Sequence, residues 1–262
     1  GKLTGSTIAG FDMAEEGVTY SGFEELILIL GSGVDKLSLE SDFSGTTLIQ
    51  TGGGRDEVKI EKYFGEMTVE TGEESDTIRI FDGNEDEIGL NAQLTIDGGA
   101  AGDNYIVTVV DEVVGNSFLQ LSDSGVDGLD TLTYNGSDGD DLIQLDTVYD
   151  RNRDSSREFT NDRWRGYGNH GDGLIVAHFD GDATDYQSVN LGDTNNLDTD
   201  ALMAINRTEL ANATRFQVLN YSTIEKVTVR AGAGNDKIIS DDTAQEIDVF
   251  GNEGDDQFYV GS

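Results

Sequence analysis

Hydrophobic and polar residues alternate one by one along the first third of the chain. In the segment EVKIEK, the apolar Val58 and Ile60 are separated by charged residues, and the segments EMTVE and DTIRI that follow repeat the arrangement. An alternation with a period of two is typical of β-strands that bury one face, and these windows lack the spacing of an amphipathic helix. The pattern therefore predicts an all-β protein built from short, half-buried strands.

A glycine-rich turn that ends in aspartate recurs between these predicted strands. After the aspartate come one spacer residue and an apolar residue that begins the next strand. The phrase occurs eight times, as LGSGVDKL (30–37), TGGGRDEV (51–58), TGEESDTI (71–78), GGAAGDNY (98–105), GVDGLDTL (125–132), GSDGDDLI (136–143), AGAGNDKI (231–238) and GNEGDDQF (251–258). The repetition carries more information than any single copy, because Gly and Asp are common in ordinary β-turns.

The spacing of these aspartates indicates stacked coils. Asp56 follows Asp35 by 21 residues, and intervals of 20 residues separate Asp56 from Asp76 and Asp236 from Asp256. The two intervals after Asp76 are 27 residues each, and the next is only 11. A period near 20 residues is in the range of solenoid repeats, in which each coil covers the apolar face of its neighbour.

The sequence divides into three parts. The repeated turns predict a β-solenoid over residues 1–145, and they resume over 221–262. Residues 146–220 lack the phrase, and we expect an irregular insertion or subdomain that packs on the solenoid. A longer similarity relates 20–42 to 221–242 at an offset of 201 residues. We interpret it as one unit followed by the start of the next in a tandem array; two ordinary coils that resemble each other by chance are the alternative.

The net charge limits the possible partners. The chain has 52 acidic and 16 basic residues, which gives a formal charge of −36. Such a charge opposes a compact state unless cations neutralise it, and it disfavours nucleic acid as a partner. The absence of Cys excludes disulfides, and the absence of Pro suits continuous β-ladders. No apolar run is long enough to predict a transmembrane helix.

The turns have the chemistry of a calcium site. Calcium binds six to eight oxygen atoms at about 2.3–2.6 Å, from carboxylates and backbone carbonyls. Glycine lets a tight turn adopt positive φ, and one Asp in each turn supplies charge. Because neighbouring strands lie about 4.8 Å apart, an ion can bind between two successive turns and take ligands from both.

The turn phrases resemble the glycine- and aspartate-rich nonapeptides of the RTX (hemolysin-type) calcium-binding repeat family, G-G-x-G-x-D-x-U-x with U apolar. The copies AGAGNDKI, GNEGDDQF, GSDGDDLI and GVDGLDTL are the most similar. The resemblance implies a right-handed parallel β-helix or β-roll-like solenoid, several bound Ca²⁺ ions and a secreted or cell-surface location. By this match the carboxylate-ligand position is taken by Asp35, Asp56, Asp76, Asp103, Asp130, Asp141, Asp236 and Asp256, and the tight-turn position by Gly33, Gly54, Gly128, Gly139, Gly234 and Gly254.

The spacing differs from that of the family in one respect. Family nonapeptides follow one another directly and place calcium turns at both edges, whereas here one turn occurs in about 20 residues. We therefore expect a β-helix with a single acidic, metal-binding edge. The 11-residue interval between Asp130 and Asp141 is the one place that approaches the spacing of the family.

Other candidate residues have simpler interpretations. His170 and His178 could suggest zinc or catalysis, but there is no Cys and no further His at ligand spacing. Adjacent pairs such as Asp140 and Asp141 could suggest glycosidase carboxylates, yet neighbouring strand residues point to opposite faces. The five arginines within 151–165 could bind an acidic glycan or could pair with the acidic solenoid.

Two classes of function follow from these observations. The first is a non-enzymatic calcium-binding structural module of a large secreted or surface protein. Calcium would stiffen it as a spacer, adhesive or filament-forming segment, with neighbouring repeat units or other copies as partners. The alternative is a carbohydrate-active or glycan-binding β-helix module that resembles a polysaccharide lyase or epimerase and acts on an extracellular glycan; it rests on analogy of fold.

Overall fold

The computed structural model describes residues 1–81, 87–88, 92–109, 117–125, 127–148, 172–179, 216–240 and 245–260. All regular secondary structure within these ranges is β, in two long sheets, as the alternation predicts. Sheet A contains β1 (Lys2–Thr4), β2 (Thr7–Ala9), β3 (Val18–Thr19), β5 (Lys36–Glu40), β7 (Glu57–Tyr63), β9 (Thr77–Ile80), β10 (Glu87–Ile88), β12 (Asn104–Thr108), β14 (Thr131–Asn135), β18 (Lys226–Ala233) and β20 (Ile247–Glu253). Sheet B contains β4 (Glu25–Ile29), β6 (Thr46–Gln50), β8 (Glu66–Gly72), β11 (Gln93–Gly99), β13 (Ser117–Ser122), β15 (Asp141–Val148), β16 (Asp172–Phe179), β17 (Phe216–Ser222), β19 (Lys237–Ser240) and β21 (Gln257–Val260).

The long strands alternate between the two sheets along the chain. We call a strand of sheet B and the long strand of sheet A that follows it a layer; β4 with β5 is the first and β6 with β7 the second. Strands of successive layers pair in parallel within each sheet, with Leu37 opposite Val58, and Val58 opposite Ile78. This all-β, largely parallel arrangement is compatible with the predicted β-solenoid.

The core lies between the two sheets and contains the apolar residues that the alternation predicts. Val58 and Ile60 of β7 are fully buried, and the intervening Lys59 is half-buried on the outer face. Tyr105 and Leu132 continue the row of Leu37, Val58 and Ile78, because parallel pairing stacks equivalent positions from layer to layer. Each of these apolar side chains is therefore stacked on a residue 20 to 27 positions away in sequence.

The regular order changes after β15. Strands β15, β16 and β17 form an antiparallel meander within sheet B, and β17 then pairs in parallel with β13. The end of β15, all of β16 and most of β17 thus lie within the segment 146–220. The rest of that segment lies outside the described residues, with His170, the arginines of 151–165 and the side chain of His178.

The two copies of the longer repeat lie in opposite sheets. In the first copy β4 is in sheet B and β5 in sheet A, whereas the equivalent β18 and β19 of the second copy are in sheets A and B. The Gly/Asp turn of the first copy therefore leads from sheet B to sheet A, whereas that of the second copy leads from sheet A to sheet B. This difference determines where the turn aspartates of the second copy lie.

Candidate metal centre

Five turn aspartates and one glutamate form a ladder of hydrogen bonds on one side of the stack. Each lies in the connection between the two strands of a layer, and every carboxylate after that of Asp35 accepts the backbone N–H of the acidic residue one layer earlier. We call this row the first ladder. Its N···O distances are 2.8 Å from Asp35 to Asp56, 2.7 Å from Asp56 to Asp76, 2.7 Å from Asp76 to Asp103, 2.8 Å from Asp103 to Asp130 and 2.8 Å from Asp130 to Glu225.

A second ladder lies on the opposite side, in the connections from sheet A to sheet B. The N–H of Asp141 donates to Asp236 over 2.8 Å, and the N–H of Asp236 donates to Asp256 over 3.0 Å. The expectation of a single acidic edge is therefore wrong. The reason is the 11-residue interval after Asp130, which spans the one strand β14 and places Asp141 at its other end.

Glu225 is a ladder residue that the search for Gly/Asp phrases misses. The spacer residue after Asp130, Thr131, pairs with Lys226, so Glu225 stands level with Asp130 in the next layer. Glu225, Lys226 and Val227 repeat the order of acid, spacer and buried apolar residue. A search for an acidic residue, a spacer and an apolar residue, with no requirement for glycine, would have identified Glu225.

The glycines follow the prediction at four of six positions. Gly54, Gly128, Gly234 and Gly254, each two residues before a ladder aspartate, have φ between 116° and 130°. Gly33 and Gly139 are not among the positive-φ residues, and the prediction of a tight-turn conformation is wrong for these two. Glu74 and Ala101 take the equivalent position with φ of 73° and 79°.

Close stacking of the layers is a further reason for glycine. An ideal Cβ on Gly54 would lie 2.2 Å from the carbonyl oxygen of Gly33, one layer earlier. Gly52, Gly72 and Gly99, four residues before their aspartates, also have positive φ and the same close approach to a carbonyl of the previous layer. The carbonyls of Gly31, Gly52 and Gly72 therefore point along the stack, where each accepts a backbone N–H of the next layer and keeps a second lone pair.

The inner ladder carboxylates are buried, and each uses only one oxygen. Asp56, Asp76, Asp103 and Asp236 are at most 3% exposed. Their Oδ1 atoms accept the ladder N–H groups, while their Oδ2 atoms are buried without a hydrogen-bond partner. A buried carboxylate oxygen without a partner is costly, so a proton or a cation bound at these atoms would lower the cost of burying them.

The surroundings raise the pKa of several ladder residues. Burial raises the pKa of Asp76, Asp130 and Asp236 from 3.8 to about 6, although the ladder N–H that each accepts acts in the opposite direction. Burial, with the nearby carboxyl of Asp123, raises the pKa of Asp103 to about 8. These raised pKa values mean that the folded protein favours the protonated form of the ladder carboxyls when no cation is bound.

Calcium fits the donor set of the ladders. Each inner carboxylate keeps one oxygen free of the backbone, and the turn carbonyls are directed along the same stack. Carboxylate and carbonyl oxygens are the ligands that hard divalent cations prefer. These residues could hold such an ion without losing the hydrogen bonds that join the layers.

Adjacent acidic residues of the second ladder have different roles. While Asp141 and Asp236 face inward, the outer Asp140 accepts the N–H of Asn235 at 2.7 Å, and Asn235 accepts the N–H of Asp255 at 3.1 Å. The pairs Asp140–Asp141 and Asp255–Asp256 thus contribute one residue to each of two parallel rows. This separation does not form a pair of facing glycosidase carboxylates.

Within the described ranges, no helix has the length and hydropathy needed to cross a membrane. Comparison of the chain with known protein families, with characterised proteins and with solved structures gives no match.

Proposed function

We propose that this chain is a calcium-binding structural module of a secreted or cell-surface protein, a right-handed parallel β-helix or β-roll-like solenoid of the RTX type. It acts without catalysis, as a spacer, adhesive or filament-forming segment that calcium stiffens. The observation that carries the proposal is the set of buried Oδ2 atoms without partners, in Asp56, Asp76 and Asp103 of the first ladder and in Asp236 of the second.

The ladder gives calcium a means of controlling the fold. The Oδ1 atom of Asp76 joins two layers through the N–H of Asp56, while its Oδ2 atom remains free for a cation. A calcium ion would supply positive charge that compensates the buried carboxylates. Because the sites form only when layers stack, binding energy becomes folding energy.

The direction of the effect follows from the charge. Without cations, a chain with a net charge of −36 must bring like charges together in every layer. At a calcium concentration about 100 times the dissociation constant of a site, binding stabilises the folded state by about 2.7 kcal/mol per site. The proposed module is thus weakened where calcium is scarce and rigid in calcium-rich extracellular fluid.

The test is a calcium titration of the whole chain, starting from protein stripped with EDTA. We expect far-UV circular dichroism to show a gain of β signal and the midpoint of thermal unfolding to rise with calcium. Magnesium at the same ionic strength is the control for charge screening, since Mg²⁺ demands near-octahedral geometry and dehydrates reluctantly. An identical β signal and melting midpoint in excess chelator and in calcium would contradict the proposal.

A further inference from the structure

A ninth aspartate, outside the turn phrases, joins the first ladder at one level of the stack. Asp123 directly follows β13 and is 2% exposed. Carboxylate oxygens of Asp103, Asp123 and Asp130 all lie within 4.8 Å of one another, and all three residues are buried. Within the described residues, this is the one group of three or more such side chains close enough to share a metal ion.

The space for this cluster depends on a missing side chain. Equivalent inward positions at the ends of successive strands of sheet B are occupied by Thr51, Thr71, Gly98 and Asp123. Each threonine hydroxyl donates to the carbonyl of the next residue in this row. An ideal Cβ on Gly98 would lie 2.3 Å from Oδ2 of Asp103 and 2.0 Å from the hydroxyl oxygen of Tyr105. Glycine here leaves room for the Asp103 carboxylate and the Tyr105 phenol.

The hydrogen bonds of the cluster leave one fully buried carboxylate oxygen without a partner. Asp123 accepts the N–H of Gly125 at 2.9 Å and the hydroxyl of Tyr105 at 3.1 Å. Asp103 accepts the N–H of Asp76 through Oδ1, and its Oδ2 atom is buried without a partner. That atom and the hydroxyl oxygen of Tyr105 both lie next to the Cα of Gly98, so the free oxygen of Asp103 faces the cluster.

Among the residues that the structure describes, no basic side chain balances the charge of the cluster. Within the described part of the chain, no lysine or arginine forms an ion pair with any of the three aspartates. An uncompensated buried charge costs several kcal/mol, so three adjacent carboxylates need either bound protons or a cation.

We propose that Asp103, Asp123 and Asp130, with the hydroxyl oxygen of Tyr105, bind a single hard divalent cation inside the stack. The proposal rests on the proposed function in taking calcium as the ion. It differs in assigning a specific buried site that requires Asp123, a residue outside the Gly/Asp turns. Three carboxylates and a phenol supply part of a calcium coordination sphere, and water completes the six to eight oxygens.

The test uses terbium as a luminescent substitute for calcium, excited through tyrosine in the intact chain. Asp123→Asn should weaken the tightest terbium site by about tenfold or more, as loss of a site-forming carboxylate does. Asp127→Asn is the matched control, because it removes an exposed carboxylate from the same turn. Equal affinity of wild type and Asp123→Asn for the tightest site would overturn the inference.

A second arm decides the question if Asp123→Asn fails to fold. Tyr105→Phe keeps the three carboxylates and should lose more of the sensitised emission than Tyr63→Phe, which removes another fully buried phenol. Equal losses in the two variants would count against the site. A calcium-dependent fold with an unaltered tight site in Asp123→Asn would refute this inference alone. A fold indifferent to EDTA, with a terbium site that requires Asp123, would instead refute the proposed function.

Discussion

The ladder predicts that Asp76→Asn abolishes a defined part of the pH dependence of stability. Asparagine retains the Oδ1 acceptor for the N–H of Asp56, so the link between layers remains. It removes a carboxyl whose pKa burial raises from 3.8 to about 6. Because the folded state binds this proton more tightly than the unfolded state, its contribution to stability is complete below pH 3.8 and is lost as the pH rises through about 6.

The size of the effect follows from the distance between the pH and the pKa. At pH 5 the carboxyl is one unit below its folded pKa of about 6, and at pH 8 it is fully charged. One unit corresponds to about 1.4 kcal/mol. Chelated wild type should therefore lose about 1.4 kcal/mol more of its free energy of unfolding between pH 5 and pH 8 than Asp76→Asn does. Any constant cost of burying the amide cancels in this comparison.

The assay is urea unfolding in EDTA at the two pH values, followed by circular dichroism. Glu66→Gln, which removes an exposed carboxylate on the neighbouring β8, is the control and should follow wild type. If Asp76→Asn has the same pH dependence as wild type, the buried carboxylate does not carry the charge that we assign to it. With saturating calcium at pH 8, wild type should be more stable than Asp76→Asn, because the cation binds the ionised carboxylate that asparagine lacks.

Three further predictions concern the same architecture. Gly54→Ala, which combines φ of 117° with a Cβ 2.2 Å from a carbonyl oxygen, should destabilise the protein by about 2 kcal/mol or more in urea unfolding. Gly33→Ala, which meets no atom within 4 Å, should be close to neutral; equal losses would refute the close-stacking argument. Asp236→Ala should cost about 1–3 kcal/mol relative to Asp236→Asn, because it leaves the buried N–H of Asp141 without an acceptor; equal stability would show that the bond contributes little. In EDTA the melting midpoint of wild type should fall between pH 5 and pH 8, and saturating calcium should remove this decline; a decline unchanged by calcium would contradict cation binding at the ladders.

Local patterns in the sequence predict the strands and the core. Val58 and Ile60 are buried because strand side chains alternate, which is a property of a few consecutive residues. The recurrence of Asp at about 20 residues likewise predicts stacked strands, since parallel pairing brings equivalent positions together. These predictions needed no knowledge of distant contacts.

The composition of the site depends on distant contacts and was harder to predict. Asp123 reaches Asp103 and Asp130 only because β11, β13 and the ladder stack in one register, and no turn phrase includes it. The positive φ of Glu74 shows that the turn geometry is imposed by the stack as well as by glycine. Sequence motifs identify the residues that prefer a conformation, whereas the register decides which side chains meet.

The two ladders distribute the buried charge of the stack. Asp130 and Asp141 lie at opposite ends of β14, a strand of five residues that spans about 17 Å at the usual rise per residue. This distance is more than three times the spacing of about 4.8 Å between neighbouring residues of one ladder, and the Coulomb energy of two charges falls in proportion to the distance between them. Carboxylates of one ladder therefore interact strongly with their own neighbours one strand away and weakly with the other ladder. Because the Gly/Asp turns change sides of the stack after β14, the buried acidic residues form two shorter rows in place of one long row. Each row can be neutralised independently of the other.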